Sequence, residues 1–188
     1  MGIFGTRFGV TRYEADEHYR IALDYYNKKN MEEAINNMTY AIQLFPKRAE
    51  YYATRGFFHM EDGIVDKAAA DFDMALKLHP YDVLANYGKG VIAYNRKEYQ
   101  AAREHFTKAW AANQQRPETL YYLALTEHRL KNNLKAIDWM RLAEAIYGKA
   151  SEDDKEQQKR KRNAERWLEE FVKQVEKQRQ NPHEQSTD

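Results

Sequence analysis

Six histidines carry the most versatile side-chain chemistry in the chain: His18, His59, His79, His105, His128 and His183. A metal centre needs three or four such ligands converging on one point. The chain has no cysteine, which removes disulfides, thiolate metal sites and thiol catalysis. It also has no H-E-x-x-H pair, no glycine-rich phosphate loop and no nucleophile elbow. Carboxylates are abundant and read mostly as solvated surface. The basic run KRKR at residues 159–162 has the composition of a localisation signal or a nucleic-acid patch. However, residues 151–188 hold nine basic against ten acidic side chains, so a solvated turn of helix is the better reading. The expectation is a chain that is not an enzyme, with no catalytic residues, no metal site, no cofactor and no nucleic-acid partner.

What must position these side chains is a repeat. Ala34, Ala68, Ala102 and Ala136 are each 34 residues apart, as are Ala41, Ala75, Ala109 and Ala143. Between each pair sits a bulky apolar residue: Met38, Phe72, Phe106 and Met140. Ala22, Gly56, Gly90 and Ala124 fall in the same register, and Pro46 and Pro80 close the first two repeats. A fixed period of this length is the mark of a repeat architecture. Within it the histidines occupy unrelated positions, 4, 11, 31, 23 and 12 for the first five, with His183 beyond the repeats. Each repeat reads as two amphipathic segments split by a polar break: NKKN (27–30), EDG (61–63), NRKE (95–98) and KNN (131–133). Asn, Asp and Gly form turns readily. In the second segment, positions 20, 24 and 27 are spaced i, i+4, i+7 and share one helical face.

The period and its pattern resemble the tetratricopeptide repeat family over about residues 15–148. The stretches RGFFHMEDGIVDKAAADFDMALKLHP and GKGVIAYNRKEYQAAREHFTKAW carry the likeness best. It implies an all-α solenoid of four helix-turn-helix repeats, at 15–48, 49–82, 83–116 and 117–148. The small residue at position 8 would let the two helices of a repeat approach closely. The family's position-4 aromatic is Tyr52 in the second repeat and is replaced by His18, Asn86 and Leu120 elsewhere. Position 7, usually Leu, is Arg55 and Lys89 in the middle repeats, with the stems expected over the core and the heads in water.

The last repeat of such an array needs a cap. Residues 149–180 have the pattern: Ser151 as helix cap, acidic residues at the start, and the stripe Ala164, Trp167, Leu168, Phe171, Val172 and Val175. Residues 181–188 read as a disordered tail, and residues 1–14 as a leader. The leader matches the loose myristoylation pattern M-G-x-x-x-[ST] and carries Ile3, Phe4, Phe8 and Val10, which could fold back on the molecule. With a net charge of +1, 43% hydrophobic residues and no apolar run near spanning length, the chain is expected to be cytoplasmic and away from membranes.

The resemblance places positions 2, 5, 9 and 12 of each first helix on a concave groove. The apolar lining so assigned is Tyr19, Leu23 and Tyr26; Phe57 and Met60; Tyr87, Val91 and Tyr94; and Tyr121, Leu125 and His128. Asp16, Glu50 and Glu118 form an acidic fringe. The Lys and Asn residues with which some family members grip a terminal carboxylate are absent from positions 5 and 9. The implied function is a protein-interaction adaptor that takes an apolar or amphipathic peptide or helix in this groove. The alternatives left open are a structural homo-oligomer and a membrane-associated adaptor that uses the leader.

Overall fold

A computed structural model describes residues 3–149 and 153–180, with side chains described from Thr11 onward. Among the described residues there are nine helices and no strand. In order they are α1 (Ile3–Asn27), α2 (Met31–Leu44), α3 (Ala49–Glu61), α4 (Val65–Leu78), α5 (Val83–Asn95), α6 (Tyr99–Ala112), α7 (Pro117–Arg129), α8 (Asn133–Tyr147) and α9 (Lys155–Gln180). The fold is an all-α solenoid of helical hairpins, in which α1 packs on α2, α3 on α4 and α7 on α8. The backbone is helical from Ile3, through the segment expected as a leader. The side chains of Ile3, Phe4, Phe8 and Val10 lie outside the described residues, as do Ser151 and the tail. The described start of α9 is capped by Asp154, whose Oδ1 accepts the Gln157 N–H at 3.0 Å.

Every first helix ends in the same two hydrogen bonds. Lys29 donates to Tyr26 and Asn30 to Tyr25, both at 2.9 Å; Gly63 donates to Met60 at 3.1 Å and Ile64 to His59 at 2.8 Å. Lys97 to Tyr94 and Glu98 to Ala93 repeat the pattern, as do Lys131 to His128 and Asn132 to Glu127. This is the Schellman arrangement, whose penultimate residue must be left-handed. The left-handed residues are Lys29 (φ 62°), Gly63 (φ 78°), Lys97 (φ 64°) and Lys131 (φ 64°). The turn position is therefore set by the repeat register. In three of four turns it falls on a lysine, a residue with no preference for that conformation.

The chain divides within α5, after Ile92, into two compact halves. In the N-terminal half, Ala22, Ala34, Met38, Ala41, Tyr51 and Phe58 form one fully covered cluster. Ala53, Ala68, Phe72, Ala75 and Ala85 form the next. Alanine at positions 20 and 27 lets the helices close on the larger residue at position 24. Phe72 shows how close: a β-carbon added at Gly56 would lie 2.9 Å from its ring, and one at Gly88 only 2.2 Å. Gly88, at position 6 of the third repeat, lies outside the recurring columns. In the C-terminal half, Leu120, Ala124, Ala136, Met140 and Ala143 pack with Ala164 and Phe171 of α9. Trp167, Leu168, Val172 and Val175 join them, so the whole stripe of α9 faces the fourth repeat.

The expectation for Arg55 is corrected. Its head does not reach for water. Nε and Nη2 donate to the two oxygens of Asp71 at 2.8 and 2.7 Å, and Nη1 donates to Thr39 Oγ1 at 3.1 Å. Asp71 is buried, so its charge needs this fork. Lys89 places its ammonium 2.8 Å from the exposed carboxylate of Asp73.

Candidate functional site

The first-helix face of the N-terminal half carries two groups of touching aromatic rings. Tyr19 on α1 stacks on Tyr51 of α3 at 5.5 Å, and its hydroxyl donates to Glu50 Oε1 at 3.1 Å. Burial raises the Tyr19 hydroxyl above its ordinary pKa. Tyr26 stacks on Phe58 at 4.9 Å and meets Phe57 edge-on at 5.8 Å. Leu23 packs against the first of the two clusters of this half, and Met60 against the second. Tyr19, Leu23, Tyr26, Phe57 and Met60 are all half-buried, and Tyr19 and Tyr26 meet α3 through Tyr51, Phe57 and Phe58. Tyr87 and Val91 are different. Each keeps only 8% of its surface exposed, too little to meet a partner in this conformation.

In the C-terminal half the chain covers its own face. The His128 ring stacks on Phe171 at 4.7 Å and lies 6.0 Å from Trp167. Its Nδ1 bonds with Asn133 Oδ1 at 2.8 Å. Tyr121 is hydrogen-bonded to Trp167, and burial raises its hydroxyl pKa. Leu125 is 7% exposed. Tyr94 remains half-buried, edge-on to Tyr99 at 5.6 Å and Tyr122 at 5.8 Å. The apolar stripe of α9 was readable in the sequence. That its aromatic residues would land on Tyr121 and His128 was not.

The carboxylates of the acidic fringe are paired with arginines. Arg48 Nη1 donates to Asp16, and Arg48 Nη2 lies 2.8 Å from Glu50 Oε2. The Tyr51 hydroxyl donates to Asp16 Oδ1 at 2.6 Å; burial first, and this bond second, push its pKa well above the tyrosine range. Glu118 receives Arg160 Nη1 at 2.6 Å and has Arg116 Nε at 3.8 Å.

Among the described residues no group of three or more His, Cys, Asp or Glu could hold a metal ion. No helix among them is long and apolar enough to cross a membrane.

Helical hairpins of constant length, small residues at fixed positions and a C-terminal helix over the last pair define a helical-repeat protein. The tetratricopeptide repeat family matches residues 19–83, 59–117 and 87–151, and the chain belongs to that family. The Protein SGT1 homolog of Bos taurus is 31% identical over 99 residues, 53% of this chain and 29% of that protein. The Homo sapiens homolog is 35% identical over 77 residues, 41% of this chain and 21% of that protein. The chain spans less than a third of the length of the curated relatives it matches. Among solved structures, pilF of Pseudomonas aeruginosa superposes with a TM-score of 0.65 at 17% identity, covering 72% of this chain and 62% of that one. This last likeness is one of fold. The family is built from protein-interaction repeats, and the chain is a module of that class.

Proposed function

We propose that the chain is a non-catalytic adaptor that seats an apolar or amphipathic helix of a protein partner on the first-helix face of its N-terminal half. Tyr19, Leu23, Tyr26, Phe57 and Met60 are the contact residues. One observation carries the reading. The corresponding face of the fourth repeat, Tyr121, Leu125 and His128, already has an amphipathic helix against it, and that helix arrives with aromatic anchors, Trp167 and Phe171. On the N-terminal face α3 packs Tyr51 and Phe58 against Tyr19 and Tyr26 in the same way, and Tyr19, Leu23, Tyr26, Phe57 and Met60 still remain half-open beside it. Tyrosine and phenylalanine with one open side are the side chains that dominate interface energetics. Because the fringe carboxylates are paired, binding rests on apolar burial and depends weakly on salt.

Affinity capture from the native extract tests this, with wild type set against Phe57→Ala and Met60→Ala, both verified as folded by circular dichroism. Partners recovered with wild type should fall severalfold with each variant. Equal recovery of the same partners with all three proteins would remove this face as the binding surface. Sedimentation across a concentration range distinguishes a second copy of the chain as the occupant.

A further inference from the structure

The turn between α7 and α8 and the last turns of α9 enclose an open cleft of about 530 Å³ that shares no residue with the first-helix face. Its wall combines two chemistries. Leu134, 62% exposed, and half-buried Val175 supply an apolar side. Lys131, Lys135 and Arg179 supply three cations from three places in the chain: the turn, the start of α8 and the end of α9. The remaining lining residues are amides, and no acidic side chain is among them.

The three cations are exposed, and none makes an ion pair among the described residues. The surplus holds when the neighbours are counted. The lining stretches and the residues beside them, 127–138 and 173–180, carry six basic and three acidic side chains. One of the three acids, Glu127, is only 4% exposed and accepts a hydrogen bond from Asn132 Nδ2 at 2.7 Å. The other two, Asp138 and Glu176, are exposed and line no part of the cleft. Asn132 spends its side chain on Glu127 and gives α8 no side-chain cap, so the positive end of that helix adds to the same field. In a chain of net charge +1, this concentration is local.

We infer that this cleft docks an acidic segment of a protein partner, with one apolar side chain between Leu134 and Val175 and the carboxylates beside it on Lys131, Lys135 and Arg179. The occupant follows from charge complementarity joined to the apolar wall. A polypeptide offers both at neighbouring residues, because side chains along an extended chain succeed one another every 3.3 Å or so, roughly the spacing such a wall needs. A nucleic acid brings the charge, but no aromatic ring lines the cleft for its bases to stack on. An anionic membrane surface would meet the cations and leave the cleft between them unfilled. Attraction between exposed charges is screened by salt, so this docking weakens as ionic strength rises. Binding on the N-terminal face rests on apolar burial and does not share that dependence.

The test is an NMR titration of the full chain with the peptide Gly-Asp-Glu-Leu-Asp-Glu-Gly, blocked at both ends. The peptide should shift the backbone amides of residues 131–135 and 175–179 and leave those of α1 to α4 in place. Lys135→Glu and Arg179→Glu, both at exposed positions and verified as folded by circular dichroism, should each weaken it severalfold. Exchanging its acids for Asn and Gln should abolish the shifts, and exchanging its leucine for glycine should weaken binding severalfold. Absence of shifts in the two segments overturns the proposal, and so do equal shifts from the acidic peptide and its amide counterpart. Undiminished binding by both charge-reversal variants has the same force. A glycine-for-leucine peptide that binds equally well also overturns it, since only a charged patch would then remain. Vesicles of equal parts phosphatidylcholine and phosphatidylserine, or an oligouridylate, that perturb these amides where the peptide does not reassign the cleft to lipid or RNA.

Discussion

Lys29, Lys97 and Lys131 occupy a conformation that places the β-carbon too near the following carbonyl, at a cost of roughly 1–2 kcal/mol each. Gly63 shows the unstrained solution at the equivalent place. Glycine at Lys97 or Lys131 removes the strain but frees the unfolded chain, so each change should stabilise by about 0.5 kcal/mol, read as a raised urea midpoint. Gly63→Lys should shift it the other way. Crowding at Phe72 gives a larger effect. Gly88→Ala should destabilise by about 2–3 kcal/mol, more than Gly56→Ala, because its added carbon comes closer to the ring. Phe72→Leu in the same chain should recover part of the loss, and a double-mutant cycle measures how much. His59 governs one limb of the pH profile. Its folded pKa lies below the unfolded value, so the unfolded chain binds more protons in between. Its stabilising contribution is complete above the unfolded value, near 6.5, and is lost as pH falls toward the folded one. His59→Gln should flatten that acid limb in denaturation curves recorded across pH.

At the scale of elements, the Arg55 and Asp71 fork ties α3 to α4, and Thr39 extends it to α2. Removing Arg55 alone leaves a buried carboxylate without its counter-charge, a loss of about 3–5 kcal/mol. Arg55→Met together with Asp71→Leu should cost much less than Arg55→Met alone, by the same urea measurement. These elements were legible to different degrees. Helix pairing followed from Ala34, Met38 and Ala41 and their repeats, because burial forces one residue size at each place every turn of the pattern. The fork at Arg55 did not follow. A charged residue at a core position can extend its head to water or meet a partner, and only the approach of Asp71 from the next helix decides. Gly88 was missed for a similar reason. Its size answers to a single ring in its neighbourhood and to no column of the period.

For the molecule as a whole, stability in a repeat array is carried by neighbour-to-neighbour packing. Phe171 is fully covered and stacks on His128, so Phe171→Ala should cost about 3–5 kcal/mol. Hydrogen exchange should show the loss in α7, α8 and α9, while α1 to α4 keep their protection. The candidate site was legible as a list of positions, since Tyr19 through His128 recur at set intervals along the first helices. Its division into an open part and a covered part was not, because coverage depends on which residues α9 sets against α7. The four turns share the same pair of hydrogen bonds at intervals of 34 residues, and each is followed by a bond from alanine back to the turn: Ala34 to Asn30, Ala68 to Ile64, Ala102 to Glu98 and Ala136 to Asn132. A gene that lost the codons from Asn30 through Gly63 would join Lys29 directly to Ile64 and reproduce the same junction. Unequal crossing-over in whole periods is thus a length change that this backbone absorbs without a frame error in its hydrogen bonding.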